Sequence, residues 1–153
     1  MRSTYRALAY IIAVEVVFQA AAITYAMFSL GKWIDDGGTL NKAVMADPNA
    51  SFTGAVGFAI HGINGEMVIP VLALVLLVVS FFAKVSGGPR WAGTILVLVV
   101  IQVLLGVFGH AAPLLGPPHV VNALILLLVA VVAGRRVSSA ENSGASAAQQ
   151  VTV

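Results

Sequence analysis

The stretch Trp91–Ala111, WAGTILVLVVIQVLLGVFGHA, contains no charged residue. It is long enough to cross a bilayer as a helix, which takes roughly 20 mostly apolar residues. Its apolar residues run on without the alternation of a barrel strand. Three further stretches are long and mostly apolar, at about 5–30, 58–83 and 118–134, although Arg6 and Glu15 lie in the first of them and Glu66 in the second. The sequence therefore predicts an all-α integral membrane protein, a four-helix bundle that occupies residues 1–136.

The composition of the chain excludes several classes of protein. Of the 153 residues, 59% are apolar and 9% are charged, and the mean hydropathy is +0.99. A soluble domain of this length cannot bury so much apolar surface, and the eight Lys and Arg side chains form no patch for nucleic acid. Without cysteine there is no disulfide, thiolate zinc site or iron–sulfur cluster. No phosphate-binding or dinucleotide-binding motif occurs either.

The cations predict the orientation of the four spans. Six of the eight fall on one side of a four-span chain: Arg2, Arg6, Lys84, Arg90, Arg135 and Arg136. By the positive-inside rule this side is cytoplasmic, so we expect both termini inside and the loop 31–53 outside a bacterial inner membrane. The first span is longer than the apolar part of a typical signal peptide, so we expect it to be retained. The segment 137–153, rich in Ser, Ala and Gln, is predicted to be a disordered cytoplasmic tail.

A short pattern repeats at the start of the second and fourth spans. His61-Gly-Ile-Asn64-Gly65 and His119-Val-Val-Asn122-Ala both read His-x-x-Asn-small. On a helix, residues at i, i+3 and i+4 share a face, so each His lies on the same face as an Asn and a small residue. The preceding spans also correspond, since the segment from Glu15 to Gln19 resembles the segment that begins at Gln102. The pattern predicts two pseudo-repeated helical hairpins, related by an axis along the membrane normal.

The repeated histidines suggest a cofactor site in the bundle. Two neutral imidazoles on facing helices can ligate one haem iron from both sides, with Asn64 and Asn122 orienting the rings or binding a propionate. Gly65 and Gly106 leave room for a flat macrocycle. The alternative is that the histidines are ordinary residues of the membrane interface and the asparagines only link helices.

The pairing of the histidines stays open at this point. More residues separate His61 from Lys84 than separate His119 from Arg135. If both helices are straight, the two histidines should therefore differ in depth by about 10 Å. A kink or tilt at Pro70, or a second helix that extends into the cytoplasm, would absorb this difference. His110 lies at an intermediate depth and is therefore an alternative ligand.

Four polar residues within the spans form a second candidate site. Glu15 and Glu66 are the carboxyl groups inside apolar stretches, and Gln19 and Gln102 accompany them. Intramembrane acids are frequently functional, which favours a proton relay or a contact to a bound quinone. The alternative is a structural hydrogen bond from a protonated Glu to one of the two glutamines.

These motifs resemble part of a known family. The segment Gln102–Gly106, followed by Pro117-Pro118-His119, resembles one four-helix half of haem A synthase, in which a helix with a Gln and glycines precedes a haem-ligating His. The second span resembles the His-Arg-x-x-Gly helix of that family, although Gly62 stands where the family has Arg. A set of small bacterial four-helix membrane proteins is more similar still, over about Tyr5–Gly134.

The resemblance implies that His61 and His119 ligate a b-type haem. It does not imply haem A synthesis, because haem A synthases typically join two such halves and carry a catalytic Glu in an outer loop. The first outer loop here has Asp35, Asp36 and Asp47 instead.

We therefore expect a membrane haem b protein that transfers electrons, with a quinone or another membrane redox protein as partner, or that serves as an accessory subunit of a redox complex. A cofactor-free scaffold or small transporter is the first alternative. A haem-modifying oxygenase related to haem A synthase, assembled as a homodimer, is the second.

Overall fold

The structure, a computed structural model, describes the backbone of residues 1–46 and 52–150, and their side chains except at 45, 46 and 138–150. This part of the chain is all-helical and contains no strand. Four helical stretches are long and apolar enough to cross a membrane: Arg2–Asp35, Val56–Phe82, Gly88–Gly109 and Pro113–Val137. The prediction of an all-α chain with four long apolar helices is confirmed for the described residues.

The first span is the single helix α1, Arg2–Asp35, which continues past the predicted end near residue 30. Its last turn is polar, and Lys32 Nζ donates to the Asp36 carboxylate at 2.8 Å. Gly37 follows with a φ of 98°, a left-handed conformation that typically ends a helix. The loop then contains the short helix α2, Lys42–Ala46.

The second span is divided into three parts. Helix α3, Val56–Ile63, leads into a π-helical turn, Asn64–Val68, which leads into helix α4, Ile69–Phe82. Within the turn the hydrogen bonds widen, and Ile69 N donates to the Asn64 carbonyl five residues earlier. Pro70 has no N–H to donate to the Glu66 carbonyl, so a regular α-helix would leave this group unpaired. The π turn lies directly before this proline, as is common where a helix changes its register.

The third and fourth spans form an antiparallel pair. Helix α5, Gly88–Gly109, connects through a short 3-10 turn, Pro113–Leu115, to helix α6, Gly116–Gln150. The backbone of α6 is thus helical along most of the segment 137–153, for which the composition predicts disorder. Residues 151–153 lie outside the described part.

The packing order places the second and fourth spans on a diagonal. Helix α1 packs extensively against α6 and against both α3 and α4, whereas α5 packs against α4 and α6. The neighbours around the bundle are therefore the first, second, third and fourth spans in turn. A residue that points inward from the second span faces one from the fourth across the centre.

The apolar core fills only one half of the bundle. Among the described residues, the buried apolar cluster lies towards the end that holds Arg2, Lys84 and Arg136, here called the basic end. Its members are Tyr5, Ala9, Ile12, Ala13, Val16, Ile69, Ala73, Leu76, Ala83, Val85, Ala92, Ile95, Val99, Leu126, Ala130, Ala133 and Val137. Towards the opposite end, here called the loop end, the buried apolar side chains of the described residues are Ala22 and Ala26.

Polar contacts also hold the basic end together. The Arg136 guanidinium lies 4.5 Å from the centroid of the Trp91 ring, a cation–π contact between α6 and α5. Arg2 donates to the Lys84 carbonyl at 3.3 Å, and Tyr5 donates to the Gly88 carbonyl at 3.4 Å. The basic end is thus tightly packed, and the polar residues of the spans lie beyond it, in the loop-end half.

Candidate functional site

His119 is held by two contacts to a single residue of the neighbouring helix. Its Nδ1 lies 3.2 Å from the backbone carbonyl oxygen of Gln102, and Gln102 Nε2 lies 2.9 Å from His119 Nε2. Because the carbonyl oxygen only accepts and the amide nitrogen only donates, the ring is neutral, with its proton on Nδ1 and its lone pair on Nε2. This is the tautomer that ligates a metal through Nε2.

Asn122 completes this group on α6. Its side chain is buried, and its Nδ2 donates to Gln102 Oε1 at 2.6 Å and to the Leu98 carbonyl at 2.9 Å. Each polar atom of the Gln102 amide therefore has a partner. We call His119, Gln102 and Asn122 the second triad.

A corresponding group lies between α1 and the second span. His61 Nδ1 is 3.2 Å from the Gln19 carbonyl oxygen, and Asn64 Nδ2 donates to Glu15 Oε2 at 2.7 Å. The Gln19 amide is best oriented with Oε1 accepting from Asn64 Nδ2 at 2.9 Å and from Gly65 N at 3.2 Å. Its Nε2 then lies 2.6 Å from His61 Nδ1 and 3.0 Å from the His61 carbonyl oxygen. We call His61, Gln19 and Asn64 the first triad.

The two triads share their main contacts. In each, the His Nδ1 lies 3.2 Å from the backbone oxygen of a Gln on the preceding span, and the Asn amide nitrogen meets the side-chain oxygen of that Gln. Gln19 makes the contacts that match those of Gln102. The sequence pattern had aligned Gln102 with Glu15 instead. Glu15 corresponds instead to Leu98, since each receives a hydrogen bond from the Asn of its triad.

The two triads bring their histidines together. The ring centroids of His61 and His119 are 6.3 Å apart, and the ring planes are inclined at 61°. The predicted depth difference of about 10 Å does not appear, because it assumed straight helices that end at the cations. The second span contains a π turn, and Arg135 lies inside α6 rather than at its end.

His110 does not take part in this pair. It caps the C-terminal end of α5, and its side chain is exposed. It follows Gln102 by more than two helical turns, beyond the level at which the two triads meet.

Two of the glycines predicted to flank a cofactor lie against the triads. A Cβ atom on Gly106 would be 3.2 Å from His119 Cε1, and one on Gly65 would be 3.5 Å from Gln19 Oε1. Gly57 was not predicted from the sequence to be a site residue; a Cβ atom here would be 2.5 Å from the Ala22 backbone oxygen. Gly57 lies one helical turn before His61, so its close contact to α1 sets the distance between His61 and Gln19.

The four polar residues proposed as a proton or quinone site are separated. Glu15 and Gln19 join the first triad, and Gln102 belongs to the second. Glu66 lies in the π turn with its side chain exposed on the surface of the bundle. The sequence predicted a hydrogen bond from Glu15 to one of the two glutamines, whereas in the structure Glu15 accepts a hydrogen bond from Asn64.

Two carboxylates of the outer loop, Asp35 and Asp36, are described by the structure, and both lie at the end of α1. Asp36 pairs with Lys32, and Asp35 is exposed at the end of α1. Asp47 lies outside the described residues. The described residues contain no group of three or more His, Cys, Asp or Glu side chains that could hold a bare metal ion.

In the part of the chain that the structure describes, fold and site together define an all-helical protein with four long apolar helices and a pair of neighbouring histidines in its loop-end half. No protein-family model matches this chain, and no curated protein or solved structure matches it either.

Proposed function

We propose that this protein is an integral protein of the bacterial inner membrane that holds one haem b between its second and fourth spans, with His61 and His119 as axial ligands. Its role is electron transfer, with a quinone or another membrane redox protein as the partner. The observation that carries this proposal is the proximity of the two rings, whose centroids lie 6.3 Å apart.

The separation of the rings suits one iron atom between them. A metal–imidazole bond of about 2 Å, with roughly 1 Å more from each nitrogen to its ring centre, gives ring centroids about 6 Å apart. The observed separation is 6.3 Å. Two imidazoles are enough for haem, since the porphyrin supplies the other four ligands.

The surroundings of the rings also support ligation. Ligating histidines almost always donate their second ring N–H to a backbone carbonyl or a carboxylate. His119 has Nδ1 beside the Gln102 carbonyl oxygen, which directs Nε2 towards a metal. His61 Nδ1 also lies beside a glutamine carbonyl oxygen, but the Gln19 amide nitrogen is 2.6 Å from the same atom and would have to turn away before Nδ1 could carry the proton. At His119 the lone pair of Nε2 accepts from the Gln102 amide, so this amide would have to turn away when a ligand binds.

The polar residues of the two triads lie outside the apolar core. The buried apolar cluster of the described residues ends near the level of the Asn122–Leu98 contact, and the two triads lie beyond it. The His119 ring packs against Gly106, where a Cβ atom would be 3.2 Å from His119 Cε1. Cofactor sites of helical bundles are built from such inward-facing side chains on opposite helices.

The matched contacts of the two triads also support an architecture of two pseudo-repeated hairpins. Each hairpin contributes one Gln from its first span, and one His and one Asn from its second. A pseudo-two-fold axis along the membrane normal would relate them and would pass between the two rings. With the cations at the basic end, both termini are cytoplasmic and the haem lies in the outer half of the membrane.

The test is a reduced-minus-oxidised absorption spectrum of the full-length protein purified in detergent and supplied with haemin. We expect a low-spin b-type spectrum that His61→Ala and His119→Ala each abolish. His110→Ala is the matched control, and its spectrum should be unchanged. A colourless wild-type protein after reconstitution, or spectra unchanged in both variants, would overturn the proposal.

A further inference from the structure

Six cationic side chains lie at the basic end, within the four spans or beside them. They are Arg2, Arg6, Lys84, Arg90, Arg135 and Arg136. Neither the segment 1–14 nor the segment 67–140 contains an Asp or Glu, so the first carboxyl group after these cations along the chain is that of Glu141. The side chain of Glu141 lies outside the described side chains of α6. The cations therefore outnumber by far the carboxylates that the chain itself can place at this end.

Three of these cations lie beside the connection between α4 and α5. Arg2 donates to the Lys84 carbonyl at 3.3 Å, and Tyr5, one turn further along α1, donates to the Gly88 carbonyl at 3.4 Å. Arg90 lies two residues beyond Gly88, in the first turn of α5. The side chains of Arg2, Lys84 and Arg90 are all exposed. Three segments thus each place one cation beside the same short stretch of backbone.

Two of these side chains have no partner among the described residues. Lys84 and Arg90 both accept hydrogen bonds, but only through their backbone oxygens. Within the part of the chain that the structure describes, the Lys84 ammonium and the Arg90 guanidinium make no hydrogen bond or ion pair. An ammonium group has three N–H donors and a guanidinium has five, and neither group can accept. Both are therefore available to an anion from outside the bundle.

The backbone of Lys84 adopts a conformation that glycine usually provides. Its φ is 52°, and within the described residues it is the one position other than glycine with a positive φ. Lys84 directly follows Ala83, the C-cap of α4, where a left-handed glycine commonly ends a helix. The Cβ of any other residue is crowded there by the following carbonyl oxygen, and the exposed lysine side chain gains no burial in return. The strain therefore indicates a role for the ammonium group.

A topology signal alone does not account for the position of this lysine. The positive-inside rule requires a cation near the end of a span, at no particular residue. Ser86, two residues later, is exposed and has no positive φ, so a cation there would serve the rule without strain. The position of Lys84, beside Arg2 and Arg90, instead suits a ligand that several cations contact together.

Trp91 marks the level of these cations in the membrane. Its half-buried ring lies at the start of α5, 4.5 Å from the Arg136 guanidinium. Tryptophan is enriched at the level of the lipid headgroups. The anions at that level are lipid phosphates, which accept charge-assisted hydrogen bonds from Lys and Arg. Basic sites between spanning helices on the cytoplasmic side are known to bind anionic headgroups.

We propose that Arg2, Lys84 and Arg90 together bind the headgroup phosphate of an anionic phospholipid such as phosphatidylglycerol. The acyl chains lie along the apolar surface of the second span, where Phe81 and Phe82 are exposed directly before the connection. A zwitterionic lipid is disfavoured, because its own ammonium group is repelled by the three cations. This inference rests on the membrane insertion proposed above, but it does not involve the haem.

The test is thermal unfolding of the full-length protein in a neutral detergent, without added haemin, followed by circular dichroism. Phosphatidylglycerol, phosphatidylcholine and inorganic phosphate are added in separate experiments at equal phosphate concentration. A ligand that binds only the folded protein raises the Tm. We expect phosphatidylglycerol to raise the Tm by at least about 3 °C more than either of the other two. Added salt should reduce this rise, since it screens the exposed charges.

Lys84→Gly separates lipid binding from folding. Glycine adopts the positive φ without strain, so the Tm without lipid should equal or exceed that of the wild type. The rise caused by phosphatidylglycerol should nevertheless fall by about half or more, because one of the three cations is lost. Lys42→Gln is the matched control, since it removes one exposed cation from the first loop, at the opposite end of the bundle. It should keep the full rise.

Three results would overturn the proposal. The first is an equal rise with phosphatidylglycerol and phosphatidylcholine, and the second is an unchanged rise in Lys84→Gly. The third is an equal rise with inorganic phosphate, which would identify a site for free anions rather than for a lipid. A protein that shows the expected rises but binds no haemin would leave the lipid site intact and overturn the haem site alone.

Discussion

The rings of His61 and His119 lie 6.3 Å apart across the bundle, although they belong to spans that do not pack extensively against each other. Each ring is held from the side, by a glutamine of the span before it in the chain. The pair is therefore positioned by two separate helix contacts, α1 with α3 and α5 with α6. A change in either contact is expected to move one ring relative to the other.

Gly106 tests the contact behind His119. A side chain here would press on the ring edge, since even a Cβ would be 3.2 Å from Cε1. We expect Gly106→Val to displace the ring from the Gln102 carbonyl and to lower the haem content of the purified protein at least several-fold.

The control for this change lies one turn further along the same helix. A Cβ on Gly109 would meet nothing within 4 Å, so Gly109→Val should keep the haem content of the wild type. Equal haem content in both valine variants would show that the ring does not depend on the space at Gly106.

Gly57 tests the contact between α1 and α3. The Cβ of an alanine would come within 2.5 Å of the Ala22 carbonyl oxygen, a backbone atom that can move only with its helix. We expect Gly57→Ala to lower the free energy of unfolding in detergent by about 1–3 kcal/mol, the usual cost of overpacking. Because α1 carries Gln19 and α3 carries His61, the haem spectrum should weaken as well.

Gly62 is on the same helix but faces open space. Gly62→Ala should therefore leave stability unchanged or raise it by up to about 1 kcal/mol, through its higher helix propensity. Thermal unfolding of the two variants, followed by circular dichroism, distinguishes steric contact from propensity. A loss of stability in Gly62→Ala equal to that in Gly57→Ala would contradict the close-contact explanation.

The four spans could be predicted from hydropathy because uninterrupted apolar stretches of this length have few other structures. The ends of the helices were harder to predict from hydropathy. Helix α1 runs on through Lys32 to Asp35, since polar residues can extend a helix beyond its apolar part. The π turn before Pro70 could not be read from hydropathy, which reports the polarity of side chains and not the pattern of backbone hydrogen bonds.

The site was predictable where a local pattern specified it. The spacing of His61 with Asn64, and of His119 with Asn122, placed each pair on one helix face. The partner of each pair lies on another helix, and there the pattern aligned Glu15 with Gln102 although Gln19 makes the matching contacts. Sequence alone does not distinguish these two alignments, which differ by one helical turn. Each of them places a polar residue of α1 near the same depth as Gln102.

Asn122 tests the rigidity of the second triad. Its buried amide donates to both Gln102 Oε1 and the Leu98 carbonyl oxygen, so Asn122→Ala would remove both hydrogen bonds and leave Gln102 Oε1 without this donor. We expect a loss of about 1–2 kcal/mol in the free energy of unfolding, typical of hydrogen bonds between spanning helices. Denaturant titration in detergent measures this loss.

Val121→Ala is the comparison variant for Asn122, because Val121 precedes it on α6 and is 56% exposed. It should change stability by less than about 0.5 kcal/mol. If Asn122→Ala were as stable as Val121→Ala, the amide would not be holding α5 and α6 together.

The orientation of the chain can be tested with single cysteines, since the natural sequence has none. Thr39 is exposed in the first loop, at the loop end, and Ser86 is exposed between α4 and α5, at the basic end. With the basic end in the cytoplasm, a membrane-impermeant maleimide should label Thr39→Cys in intact spheroplasts. It should label Ser86→Cys only in inverted vesicles or after permeabilisation. The reverse pattern would place the histidine pair, which lies in the half of the bundle nearer Thr39, in the cytoplasmic half of the membrane. Its electron partner would then have to be sought on that side.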